Sequence, residues 1–126
     1  MVVYRILIGV LILFLTLSLA QDQGDFIVAY EDSSSEVHIE YANMLYERQY
    51  LESLVSGLNA SIALPRDIGV VASQCDTVNA FWAPDMQAII ICYELFEYLS
   101  EVFRSAVSSQ EELDNEVLGA VEFIFY

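Results

Sequence analysis

The chain has 126 residues, enough for one modest domain, and sets 19 acidic side chains against four arginines and no lysine, a formal net charge of -15. That balance excludes nucleic-acid binding, which needs a basic patch to meet phosphates, and attraction to an anionic lipid surface. It describes a soluble, self-repelling surface.

Residues 1–20 read as a secretory signal peptide. Arg5 sits in a short n-region, residues 6–17 are apolar apart from Gly9 and Thr16, and Ser18-Leu19-Ala20 offers the small residues a signal peptidase reads. The apolar run is shorter than the roughly 20 residues that span a bilayer, so cleavage is favoured over an uncleaved anchor. The mature part is then residues 21–126, secreted or periplasmic, and it meets a membrane only if the first segment stays on. Losing Arg5 takes its charge to about -16. The segment also inflates the hydrophobic fraction, 56%, and is set apart from the fold.

Phe26-Ile27-Val28-Ala29-Tyr30 is a short β-rich run. Ser33 with Glu36 forms a capping-box pair, and Ile39, Ala42, Leu45, Tyr46, Leu51, Leu54, Val55 and Leu58 then recur at helical spacing. One helix is expected over residues 36–59, ending at Gly57 and Asn59. Asn59-Ala60-Ser61 fits a glycosylation triplet of the sort that chance often supplies. Leu64-Pro65-Arg66-Asp67 is a turn, because proline fixes its own φ and restricts the residue before it. Strands are expected over residues 68–72, 79–82 and 88–93, with Ala83-Pro84-Asp85 turning the chain between the last two. Residues 94–107 return to helix. Ser109 with Glu112 opens a final helix whose apolar face is Leu113, Val117, Ala120, Val121 and Ile124. No glycine, asparagine or basic turn stops it at Phe123-Ile124-Phe125-Tyr126, and a domain cut short is the expectation. The fold class is α+β, a small sheet with a β-hairpin packed on helices.

Chemistry is sparse. His38 is the sole histidine and reads as a solvated residue at a helix start, and one imidazole cannot build a zinc site of three or four ligands. No nucleophile elbow and no glycine-rich phosphate loop occurs. Glu94, Glu97 and Glu101 read as a solvated helix face. Cys75 and Cys92, both in the exported part, read as a disulfide worth roughly 3 kcal/mol in the chain-entropy model; two buried thiols are the alternative.

Asn79-Ala80-Phe81-Trp82, followed by a Pro-Asp turn and an isoleucine-rich strand, is an unusual hairpin. By physics alone it is an ordinary hairpin whose tryptophan fills the core. The same four letters resemble the edge strand of thermolysin-like (gluzincin) zinc metallopeptidases. The ordered set of Leu64-Pro65-Arg66-Asp67, Cys75, Asn79-Ala80-Phe81-Trp82, Cys92-Tyr93-Glu94-Leu95 and Glu122-Phe123-Ile124-Phe125-Tyr126 resembles a family of exported bacterial metallopeptidase-like proteins over roughly residues 26–126. In that family the apolar run leads into His-Glu-x-x-His, whose histidines bind zinc and whose glutamate polarises a zinc-bound water. The resemblance implies an incomplete zincin-like domain. Asn79, Ala80, Phe81 and Trp82 would align an extended polypeptide, and the Cys75–Cys92 bridge would pin the hairpin. The zinc ligands and the catalytic glutamate have no counterpart here, so no catalytic and no metal-binding residue is carried over. Zinc is expected of a full-length relative, no cofactor of this chain, and inactivity follows. The alternative is a small secreted, non-catalytic peptide-binding module.

Overall fold

The computed structural model describes residues 23–125; the signal-peptide reading of residues 1–20 lies outside them, as does Tyr126. In chain order the elements are β1 (Phe26–Tyr30), α1 (Glu36–Glu47), α2 (Tyr50–Ser61), β2 (Ile68–Ser73), β3 (Ala80–Ala83), β4 (Ala88–Cys92), α3 (Tyr93–Phe103) and α4 (Gln110–Phe125). The class is α+β, as expected. The sheet order is β1-β2-β4-β3, with β1, β2 and β4 parallel and β3 antiparallel to β4. Parallel strands need a long crossover, and α1 with α2 supplies it between β1 and β2. The β3–β4 hairpin folds back so that β4 lies inside the sheet and β3 forms its edge.

The single helix expected over residues 36–59 is two. Gln49 breaks it, at φ 49° in the left-handed region. The reason lies in the phase of the apolar positions. At about 100° per residue, an unbroken helix would aim Leu54 roughly 180° away from Leu45. Both are buried, at 6% and 0% exposure, so the chain must turn to bring them to one core. The Ser33 capping box does not form either. Ser35 is the α1 N-cap residue without a side-chain cap bond, while Ser33 Oγ accepts from Ser35 N at 3.0 Å and donates to Gln74 Oε1 at 2.6 Å. At α4 the serine half of the box forms, Ser109 Oγ accepting from Glu112 N at 3.2 Å, while the Glu112 carboxylate reaches one residue further back and accepts from Ser108 N at 2.8 Å. The third helix begins one residue earlier than expected and ends at Phe103 rather than Val107.

The main core lies between the sheet and the helices. Phe26, Val70, Ala72 and Ile91 from the strands meet Leu45, Leu51, Leu58, Phe96, Val117 and Val121 from the helices. The opposite face holds a smaller cluster, Val71, Ala88, Ile90 and Cys92 with Cys75 and Ala83, drawn from strand and loop residues alone. Asn59 at the end of α2 closes the outer edge of β1. Its Oδ1 accepts from Phe26 N at 2.7 Å and its Nδ2 donates to Phe26 O at 3.1 Å, as a neighbouring strand would. The glycosylation triplet therefore holds a side chain already committed to the fold. Gly24 allows a similar closeness: a Cβ there would lie 1.9 Å from the Arg66 carbonyl carbon.

Candidate functional site

The four residues expected to hold an extended chain do share one exposed sheet edge. Asn79 immediately precedes β3, and Ala80, Phe81 and Trp82 form it. Cys92 N donates to Asn79 O at 3.1 Å, which fixes the alternation of the antiparallel ladder. Asn79, Phe81 and Ala83 turn their peptide groups inward to β4, and Ala80 and Trp82 turn theirs outward. The outward Ala80 N–H is covered by Asn79 Oδ1 at 2.9 Å. Asn79 thus bonds its own backbone, and an incoming strand would take over that donor. Phe81 and Trp82 are 41% and 47% exposed, so the tryptophan is not the core filler that an ordinary hairpin would make of it. By strand alternation they lie on opposite faces of the sheet.

Two devices hold this edge in place. The Cys75–Cys92 disulfide, with Cα atoms 5.4 Å apart, joins the end of β4 to the segment that leads into β3. Beside it, the Glu94 carboxylate accepts from Cys75 N at 3.1 Å and Asp76 N at 2.7 Å. Asp76 has φ 56°, so two successive N–H groups make a small anion nest around Glu94. The sequence offers a hint in the acidic residue two places after Cys92, at the N-terminus of a helix. Its partners, 18 and 19 residues upstream, leave no local signal.

The reading of His38 as solvated is corrected. It is 6% exposed, and its Nε2 lies 3.1 Å from Glu97 Oε2. The ring stands 5.9 Å from that of Tyr93, and Nδ1 is buried with no hydrogen-bond partner among the described residues. Packing of α1 against α3 puts it inside, a tertiary effect that the lone residue cannot announce. Glu97 is consequently not free on a solvated face, and neither is Glu94.

These donors do not fit a catalytic zinc. Among the described residues the one group of three or more ligand-type side chains in reach of each other is Cys75, Cys92 and Glu94, and its sulfurs are joined as a disulfide. His38 stands apart from it, bonded to Glu97. A hollow of about 670 Å³ lies away from β3, along β1. Tyr30, Asp32, Tyr46 and Glu52 line it. There the Tyr30 hydroxyl donates to Glu52 at 3.0 Å, and burial together with that carboxylate raises the phenol well above its ordinary pKa.

Residues 30–126 match a protein family described as a putative metallopeptidase. The chain belongs to this family. No curated protein and no solved structure matches it. The match spans the whole frame around the edge strand, from the last residue of β1 through α4.

Proposed function

We propose that this chain is the substrate-aligning portion of an exported zinc metallopeptidase-like protein of the zincin type, with no peptidase activity of its own. Strand β3 receives an extended polypeptide by β-augmentation, through the outward peptide groups of Ala80 and Trp82, while Phe81 and Trp82 flank the added chain. The observation that carries the reading is the exposed β3 edge, braced by the Cys75–Cys92 bridge within a metallopeptidase family member. The 126 residues contain one histidine, so this stretch supplies no His-Glu-x-x-His pair to bind zinc and activate water. Its own residues hold and orient the substrate.

Trp82 is the only tryptophan, so intrinsic fluorescence reports directly on the edge. Extended peptides added to the oxidised protein are expected to change that fluorescence saturably. The same peptides N-methylated at alternate amides are expected not to. Zinc addition should bring no cleavage. One tight equivalent of zinc on the oxidised protein, with chelator-sensitive peptide cleavage, would overturn the reading. The same edge also serves a non-catalytic peptide-binding module, since β3 presents its groups without any metal. Sequencing the coding region beyond codon 126 separates the two: His-Glu-x-x-His there supports the peptidase reading, and its absence supports the module.

A further inference from the structure

We propose that the outer edge of β1 docks a second, basic polypeptide: an extended segment with lysine or arginine at alternate positions. This edge lies across the sheet from β3. Glu31 N donates to Ala72 O and Ile68 N to Asp25 O, both at 2.9 Å, which fixes the alternation of the parallel ladder. Ile27 and Ala29 turn their peptide groups inward to β2, and Phe26, Val28 and Tyr30 turn theirs outward. The chain itself closes the start of the edge. Gly24 N donates to Leu64 O at 2.9 Å, and Asn59 covers the edge at Phe26 alone. Among the described residues no such cover is bonded to the outward groups of Val28 and Tyr30. Their N–H and C=O groups remain to pair an added strand.

The surface beside those groups is hollowed. Two hollows, of about 670 and about 660 Å³, share Val28 and Glu52, and together they follow the strand from Asp25 to Asp32. Their charged lining residues are Asp25, Glu31, Asp32, Glu52 and Asp67, and none is basic. A carboxylate offers about four lone-pair sites, so Glu52 can hold the Tyr30 hydroxyl and still receive a cation. Strand alternation sorts the side chains of the incoming segment. Every second one falls on the helix side, where Glu52, Tyr46 and Ile39 line the hollow. A lysine or arginine suits that place, with its alkyl stem on the exposed Ile39 and Tyr46 and its cationic head at the carboxylate. The others fall beside Ile27 and Ala29, both exposed, where apolar side chains fit.

Charge also selects among occupants. A second copy of this chain brings a formal charge of -15 and no lysine, and is repelled by the groove. A basic segment is attracted to it. The inference stands apart from the reading of β3, because the two edges share no strand.

Anisotropy of a labelled peptide of alternating valine and lysine tests it, on the full chain carrying Trp82→Pro so that β3 is closed to strand addition. Far-ultraviolet circular dichroism is taken on each sample. One equivalent of the peptide is expected to bind. Glutamate in place of its lysines, or N-methylation of its amides, should abolish binding. Adding Glu52→Gln with Asp32→Asn should weaken affinity about tenfold, through the loss of two charge contacts. Adding Val28→Pro, which removes an outward N–H and spares the ladder, should abolish binding. Should Val28→Pro lose the native spectrum, the charge variant decides. Undiminished binding of the glutamate peptide or of the N-methylated peptide overturns the proposal, and so does unchanged affinity in the charge variant. Competition by spermine as strong as by unlabelled peptide overturns it too, since the groove would then read charge without a backbone. A dimer that the peptide dissociates also overturns it, by giving the edge to a second copy.

Discussion

Tyr93 is fully buried at the start of α3, and its hydroxyl donates to the Glu31 carbonyl at 2.9 Å. Burial first, then the nearby Glu31 and Asp32, pushes its pKa up to about 12. Tyr30 and Tyr41 are raised too, in each case chiefly by burial. A phenol whose folded pKa exceeds its unfolded value of about 10 stabilises the fold in full below that value. The contribution is lost as pH rises through the folded pKa. Urea denaturation is therefore expected to show a stability plateau up to about pH 10 and a decline toward pH 12, with a shallower decline in Tyr93→Phe. Asn59 gives a second measurable case. Asn59→Ala leaves Phe26 N and O without their partner and should cost about 1–3 kcal/mol in the same assay, with no change in peptide binding at β3. Neither Asn59 nor His38 could be placed from sequence. Asn59 looked like a helix end and a chance glycosylation triplet, and His38 like a surface residue, because both roles are set by elements far away in the chain. The Ser109 cap, whose partners lie within three or four residues, was legible.

At the level of elements, the sheet was the easier part to read. Val70 and Val71, the isoleucines of β4 and the Pro84 turn mark strands by their own chemistry. The join between α1 and α2 was misread because each helix keeps good spacing within itself. Only the phase across Gln49 betrays the break. Strand order was not legible: that β4 sits inside and β3 outside follows from the register Cys92 makes with Ser73 and Asn79. The candidate edge was legible as four letters and a resemblance, while its exposure and its Asn79 cover were not. The ladder makes a paired prediction. Trp82 N–H faces outward, so Trp82→Pro should leave the far-ultraviolet spectrum and melting transition close to wild type and abolish peptide binding. Phe81 N–H belongs to the ladder, so Phe81→Pro should lower thermal stability by several degrees. Because Trp82→Pro removes the fluorophore, binding is read by anisotropy of a labelled peptide. Retained binding in Trp82→Pro would rule out strand addition at this edge.

For the whole molecule, charge is the governing quantity. Against a net charge of -15, the attractive side-chain contacts among the described residues include the Arg48–Asp114 ion pair, at 3.0 Å, and the hydrogen bond between His38 and Glu97. Long-range repulsion should outweigh them. Screening then stabilises: raising sodium chloride from about 0.02 M to about 0.5 M shortens the Debye length severalfold and should move the urea midpoint upward. A downward shift would mean that attractive pairs dominate. The excess of acid was plain in the sequence and removed whole classes of partner, but composition could not say where the charge gathers. Folding brings Glu94 to the disulfide and Glu97 to the histidine, and leaves Glu101 in solvent.

Strand β4 passes into α3 without a loop, Cys92 being the last residue of one and Tyr93 the first of the other. A chain laid along the rim of the sheet therefore pulls on a rigid joint rather than a slack tether. Tension there is handed to the opening turn of α3, the same turn that holds Glu94. Amide hydrogen exchange at Leu95 and Phe96 should slow when a peptide occupies the rim, and α4, one helix farther out, should not register its arrival.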